Sequence, residues 1–372
     1  MNIGINAYEA NVSNRVGSNQ YAFRVLVELE KLLVHDDVVI YLPSDPLPDL
    51  PKERKGWTYR VLRPSLFWSI WRLPSALYAH ALRGKTFHVF YSLGHYGPWY
   101  CPFSSVVTVM DLAFLQFPEF FKKNDMMKLT HWTAHCVENA KKIIVISRHT
   151  KKDVCTVYRK KGDDVILAYP GFEHEERHLS VSEVLHKHHI QQPYLVYIGT
   201  LQPRKNLVRV VKAFEHVAQS HHDLSLVLAG KVGWMADDVV RAVQQSPVKK
   251  RIHLLGFISD REKSALYRGA KAAVLAGLYE GFGIPPLEAM AEHTIPIVSE
   301  TASLPEVVGD AGVLIDPYSV DDIVRGMNEV LHYTKQQREF LLEKGKKQTE
   351  KFSWEETGKI IAEVLHDVGG KV

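Results

Sequence analysis

Residues 194–230 read YLVYIGTLQPRKNLVRVVKAFEHVAQSHHDLSLVLAG. An apolar run of strand length, YLVYIG at 194–199, leads into a helical pattern, LVRVVKAFEHVAQ at 207–219, and then into a second apolar run, LSLVLAG at 224–230. Strands that are apolar on both faces and separated by amphipathic helices belong to a parallel sheet covered on each side. The alternation continues through RIHLLGF (251–257), KAAVLAG (271–277), IPIVSE (295–300) and GVLIDP (312–317), with VVRAVQQ, EKSALYRGA and PPLEAMAEH as the intervening helices. This half of the chain predicts a doubly wound α/β lobe.

Upstream, the same scheme recurs less cleanly. Strand-like runs lie at 2–8, 38–43, 59–64, 87–93, 105–111, 142–147 and 165–170, and a long helix is predicted over 18–34. With 372 residues, two Rossmann-like domains are expected: residues 1–175 and 194–350, joined by a polar, His- and Glu-rich linker at 176–193 that Pro193 closes. The tail at 334–368 reads as helical throughout, and residues 351–372 are expected as a C-terminal helix packing back on the first domain.

Composition limits the function classes. Hydrophobic residues make up 46% and charged residues 24%, which excludes a disordered or fibrous chain. No apolar window reaches the length of a membrane span, and the N-terminus runs straight into a strand without a leader pattern. Three widely spaced cysteines, Cys101, Cys136 and Cys155, fit a reducing compartment, so the expectation is a cytoplasmic protein. A net charge of +4 is too weak for a nucleic-acid footprint.

In an open parallel sheet, ligands bind beyond the carboxyl ends of the strands. Three loops there carry chemistry. Gly199 to Asn206 places Arg204 and Lys205 between a strand end and a helix start, where a guanidinium fork and an ammonium point charge suit a diphosphate. Gly277 to Glu288 contains two glycines and two carboxylates, Glu280 and Glu288, and opens a helix at Pro285–Pro286. An acid in a first helical turn is stabilised by the helix dipole, which gives Glu288 a structural reading beside the ligand-binding one. The third loop, Asn14 to Tyr21, has Gly17 approaching the ligand region, with Ser18 or Asn19 as a helix cap.

Together these segments resemble the family 4 retaining glycosyltransferases, whose GT-B fold sets two Rossmann-like domains facing each other across a cleft. The most specific element is Glu-x7-Glu, Glu280 and Glu288, within LYEGFGIPPLEAMAEHTIPIVSETASLPEVVGDAGVLIDP. The IGT-x-x-x-RKN segment is matched at 198–206, the sheet-end pair at Gly256–Phe257 and the Leu-Pro-Glu turn at 304–306. VVTVMDLAFLQFPEFF at 106–121 is similar to the His-Asp-Leu segment of a mannosyltransferase-like branch.

The resemblance implies a retaining hexosyltransferase that uses a nucleotide-diphosphate sugar, with guanosine diphosphate-mannose a candidate donor, and a saccharide or lipid-linked saccharide acceptor in polysaccharide biosynthesis. It implies an acceptor-binding first domain and a donor-binding second one. Arg204 and Lys205 would hold the diphosphate, Glu288 the ribose, and Glu280 with the amides of Phe282, Gly283 and Ile284 the sugar. The backbone at Phe257 and Ile258 would contact the base, and Gly17 the diphosphate. Asp111 either orients the acceptor or caps a turn. Two departures stand out: Met110 occupies the place of the family's His, and of its glycine pair only Gly17 remains, with Asn19 in the second position. Met110 motivates an alternative, a catalytically silent nucleotide-sugar-binding or scaffold subunit. A nicotinamide-dependent oxidoreductase fits poorly, because no GxGxxG follows the first strand.

No Asp-x-Asp stands in a sheet-end loop, so no metal and no cofactor are expected. The histidines 174, 178, 186, 188 and 189 lack any spacing that orders them round one ion. Leu66 to Leu73, with Arg60, Arg63 and Arg83 nearby, mixes aromatic and basic residues. A core-facing helix and peripheral contact with the inner membrane face both fit it.

Overall fold

The computed structural model describes residues 1–174 and 179–370. The chain forms two compact units, Met1–Gly171 with Phe352–Val372, and Phe172–Lys351.

In the first unit the described residues form seven strands: β1 (Asn2–Asn6), β2 (Asp37–Leu42), β3 (Trp57–Val61), β4 (Val89–Ser92), β5 (Ser105–Val109), β6 (Lys142–Val145) and β7 (Val165–Leu167). They lie in the order β3-β2-β1-β4-β5-β6-β7. In the second unit six strands, β8 (Tyr194–Ile198), β9 (Ser225–Ala229), β10 (Ile252–Gly256), β11 (Ala272–Leu275), β12 (Ile295–Ser299) and β13 (Val313–Ile315), are ordered β10-β9-β8-β11-β12-β13. Neighbouring strands are parallel, as between β8 and β9, where Tyr194 opposes Ser225 and Ile198 opposes Ala229. Two Rossmann-like α/β units are therefore present, as the strand pattern predicts. In each, the order reverses beside the first strand, which opens a crevice at its carboxyl end.

The second sheet was the clearer one to read because every residue of β8, β9, β11 and β12 is buried. In the first sheet β3 is an edge strand with one exposed and three half-buried residues, so its apolar signal is weaker.

Three expectations need correction. The segment read as a linker belongs to the second unit from Leu179 onward: the helix Val181–Lys187 buries Val184 and Leu185. Lys187 Nζ and His188 Nε2 lie 2.7 and 3.0 Å from Glu262 Oε1. Glu262 also accepts the Ser259 amide in a capping box, and its carboxyl is held far below its ordinary range, chiefly by Lys187. His174 faces Glu292 at 3.6 Å, so these two histidines go to different carboxylates, while His178 lies outside the described residues.

The tail is not one helix. Lys335–Thr349 packs in the second unit, the chain breaks at 350–353, and Trp354–Gly370 lies along the helix Ser18–Leu32 of the first. Trp354 sits so close to Gly171 that a Cβ there would fall 2.1 Å from its amide nitrogen.

Finally, the aromatic segment is only half core-facing. A turn of π-helix, Trp68–Arg72, runs into the helix Leu73–Leu82; Trp68, Leu73, Ala76 and Leu77 pack on Tyr41, Phe87 and Phe90, whereas Leu66, Phe67, Ile70, Trp71, Tyr78 and Leu82 are exposed. No helix among the described residues is long and apolar enough to cross a membrane.

Candidate functional site

β8 delivers the chain to the crevice of the second sheet, where a single 3-10 turn, Pro203–Lys205, ends at Asn206 in the left-handed region (φ 61°). Asparagine tolerates that conformation, and its short amide carries two donors. Asn206 Nδ2 donates to Ala276 O at 3.0 Å and to Pro317 O at 2.7 Å, both buried bonds. The loop after β8 is thereby tied to the loops after β11 and β13, and the Leu278 amide adds a bond to Arg204 O at 2.9 Å. Replacing Asn206 by alanine leaves two buried carbonyls without their donor and a Cβ in a strained backbone, for an expected loss of about 3 kcal/mol in urea unfolding. An unchanged denaturation midpoint would show that this tie does not hold the loop.

Pinned this way, the loop aims two cations at one carboxylate. Arg204 Nη1 donates to Tyr279 O at 2.6 Å and to Glu280 Oε2 at 3.3 Å, and Lys205 Nζ is bonded to Glu280 Oε1. The three side chains are only 19%, 15% and 16% exposed. Burial pushes the Glu280 carboxyl up, but Lys205 and Arg204 together outweigh it and hold the group below its ordinary value. The cluster therefore brings one carboxylate and two cations together. Lys205, Glu280, Tyr197, Gly283, Pro286 and Leu304 line one open pocket.

Gly283 stands at φ 110°, and a Cβ on it would fall 2.7 Å from Leu304 Cδ2, so glycine is required at this bend. From it the helix Ile284–Ala291 starts, with Pro285 and Pro286 in its first turn. The free amides of such a start attract negative charge. Phe282, next to this bend in sequence, is 4% exposed.

Hydroxyls at the end of β12 and just beyond it, which sequence reasoning passed over, fasten the loop. Ser299 Oγ donates to Gly277 O at 2.7 Å, Thr301 Oγ1 to Leu278 O at 3.3 Å, and Ser303 Oγ lies 2.7 and 2.6 Å from the carbonyls of Glu280 and Phe282. Their signal was there: hydroxyl residues at every second position directly beyond a buried strand.

The other expected site residues are distributed as follows. Glu288 falls in the second turn of its helix, so the dipole reading of it is wrong; its countercharge is Lys263, at 2.7 Å. Phe257 is 71% exposed with Lys231 Nζ 5.1 Å from its ring centroid, and Ile258 beside it is buried. Gly17 and Asp111 belong to the first unit. Gly17 precedes the helix Ser18–Leu32 at φ 54°, but neither Ser18 nor Asn19 makes the expected cap. Asn19 instead donates to Glu9 O at 3.1 Å. Asp111 Oδ1 accepts the Ala113 amide at 3.0 Å, which is the turn-capping reading. Met110 is buried, and its amide donates to His95 Nε2 at 3.2 Å. Burial lowers the pKa of that imidazole.

Known proteins share this fold and parts of this sequence. Residues 183–348, nearly the whole second unit, match the family model described as "Glycosyl transferases group 1". The chain is 29% identical to O-antigen chain mannosyltransferase B of Escherichia coli over 74% of each chain. It is 32% identical to serotype-specific mannosyltransferase WbdA of Escherichia coli over 48% of its own length, while spanning 22% of that longer protein. Among solved structures, sucrose-phosphate synthase from Thermosynechococcus elongatus superposes with a TM-score of 0.75 over 100% of both chains at 19% identity. Anabaena HepE in complex with UDP-glucose gives 0.72 at 15% identity, covering 99% of this chain and 100% of that one. These structures share the GT-B fold. The second unit thus carries a group 1 glycosyltransferase domain, mannosyltransferases stand among the chain's relatives, and placement in family 4 is consistent with both.

Proposed function

We propose that the chain moves a hexose of the mannose or glucose type from a nucleotide-diphosphate sugar to a saccharide or lipid-linked saccharide acceptor, with retention of configuration at the anomeric carbon. The observation that supports this most directly is the Arg204–Glu280–Lys205 cluster at the carboxyl end of a parallel sheet. Its two cations, beside a helix start, suit a diphosphate, and a carboxylate held by two cations is positioned to accept hydrogen bonds from sugar hydroxyls. The mannosyltransferase relatives, one named for the O-antigen chain, favour a mannose donor and a growing saccharide as acceptor.

In the proposed step the C1–O bond to the diphosphate breaks with its electron pair leaving on that oxygen. The acceptor hydroxyl oxygen bonds C1 from the same face, and its proton passes to the departing phosphate. The products are the glycoside and the nucleoside diphosphate. Arg204 and Lys205 stabilise the charge that grows on the leaving group, a task that needs no metal in this proposal. Glu280 and the Phe282–Ile284 amides orient the sugar, Glu288 binds the ribose, and the backbone at Phe257 and Ile258 meets the base.

The experiment supplies α-linked GDP-mannose or UDP-glucose with oligosaccharide acceptors, follows nucleoside diphosphate release, and reads the anomeric proton of the product by NMR. An α-linked product is expected. A β-linked product would contradict retention, and release no faster than that of a Glu280→Ala variant would contradict transfer at this site.

A further inference from the structure

Met110 stands where the resemblance places a histidine, yet an imidazole lies behind it. It belongs to His95, on the loop between β4 and β5, and it is buried, so it is not placed to exchange protons with a substrate. Both of its nitrogens are engaged. The Met110 amide lies 3.2 Å from Nε2, and because an amide N–H only donates, Nε2 is the bare acceptor and Nδ1 carries the proton. Nδ1 is 3.3 Å from Thr133 Oγ1, a fully buried hydroxyl on the helix Lys123–Asn139 that accepts it. The ring packs edge-on against Phe114, with centroids 6.3 Å apart. Met110 is held on its other side as well. Thr150 Oγ1 donates to Met110 O at 3.3 Å, and that hydroxyl is fixed in turn by Ser147, whose Oγ donates to it at 2.9 Å and caps the helix Arg148–Val157. The chain leaving β5 thus turns with Met110 gripped at both peptide groups, at the end of a parallel sheet where ligands bind.

The loop that carries His95 is pinned on either side of it. Gly94 lies against the Glu9 carboxyl, so that a Cβ there would fall 2.5 Å from Oε1, and Tyr96 O accepts from Asn6 Nδ2 at 3.1 Å and from Ser69 Oγ at 3.2 Å. A second proton on the ring would turn Nε2 into a donor facing the donor of Met110 and would leave a charge in a buried place. Among the described residues Asp111 is the charged group that acts on the imidazole, while the neighbouring helices present the Thr133 hydroxyl and the Phe114 ring. Burial outweighs Asp111 and keeps the pKa of the ring below its ordinary value. We infer that His95 is a positioning residue for sugar transfer: as a neutral imidazole protonated on Nδ1, it holds the Met110 amide and thereby fixes the Met110–Asp111 corner at the carboxyl end of the first sheet. The kinetic part of this role rests on the transfer reading above, whereas the tautomer does not.

The test joins the imidazole nitrogen NMR spectrum of the full chain, with His95 assigned by its absence from the variants, to the kinetics of His95→Phe and His95→Gln. In the wild type His95 is expected to show a proton on Nδ1 and none on Nε2, and to keep that state at about pH 6, where a histidine with the ordinary pKa of about 6.5 is mostly protonated. His95→Phe keeps a ring of similar size and loses the acceptor. It is expected to lower kcat/KM for an oligosaccharide acceptor roughly tenfold or more, since a small misplacement at a reacting centre costs at least that much. The GDP-dependent thermal shift, which reports on the second unit, should equal that of the wild type. His95→Gln, whose Oε1 can take the place of Nε2 as acceptor, should recover most of the loss. The proposal is overturned if Nε2 carries the proton, if His95 titrates as an ordinary histidine, if His95→Phe transfers as the wild type does, or if His95→Gln is as impaired as His95→Phe. Should His95→Phe fail to fold, the wild-type spectrum and the near-normal turnover expected of His95→Gln decide. A wild type that transfers no sugar contradicts the transfer reading instead, and the spectrum alone then upholds or overturns the placement of His95.

Discussion

Lys205→Ala is expected to lower the rate of sugar transfer by a factor of about a hundred or more, the effect of removing one well-placed donor from a developing anion, roughly 3 kcal/mol. The ammonium is only 15% exposed and bonded to Glu280, so its charge acts in a poorly screened site. Affinity for the nucleoside diphosphate should fall with the rate. The substitution also leaves the buried Glu280 carboxylate with Arg204 alone, which raises its pKa and weakens the fold. Breaking one side of a buried ion cluster can cost about 3 kcal/mol or more, and Arg204 retains part of it, so a drop of several degrees in melting temperature with an unchanged far-UV spectrum is expected. Near-normal turnover in this variant would remove Lys205 from the site.

Glu280→Ala should be as damaging to transfer and opposite in its effect on nucleotide binding. Removing the carboxylate takes away a negative charge beside Arg204 and Lys205, so the nucleoside diphosphate, which carries no sugar, should bind as well as in the wild type or better. Transfer should nevertheless fall a hundredfold or more, because the hexose loses the group that orients it, and misplacement of a reacting carbon by about 1 Å is enough for such a loss. The wild-type carboxyl is held below its ordinary value of 4.5, so its contribution to stability is present above that pH and fades as the pH falls below it. In the alanine variant that acid-dependent component should be missing from the melting curve. A variant that loses nucleotide affinity and transfer together would place Glu280 on the diphosphate instead.

What the sequence made legible follows from burial. The strands of the second sheet are covered on both faces and announce themselves as apolar runs, and the sheet-end rule then points at the loops that hold Arg204, Lys205 and Glu280. That these three meet was not in the sequence, since the contact spans about 75 residues and is made by the Asn206 tie and the hydroxyls of Ser299, Thr301 and Ser303. The helix Val181–Lys187 was hidden because its two buried residues, Val184 and Leu185, are set among His, Glu and Lys. The break at 350–353 carries neither Gly nor Pro; it is imposed by Phe352 and Trp354 entering the core of the first unit and by Thr357 bonding Tyr169 O at 2.5 Å. The stretch 66–82 stayed open between a buried and an exposed reading for a related reason: periodicity locates an apolar face but cannot tell how many faces the fold will cover.

The account rests on the Arg204–Glu280–Lys205 cluster being the anion site for the leaving nucleotide. Equilibrium affinity for GDP, UDP and ADP, read from the ligand-dependent rise in melting temperature, tests it most directly, because a ligand that binds the folded state stabilises it by mass action. At least one nucleoside diphosphate is expected to stabilise the wild type, to do so far less in Lys205→Ala, and to be undiminished in Glu280→Ala. Equal shifts in all three proteins, or none in the wild type, would contradict the account.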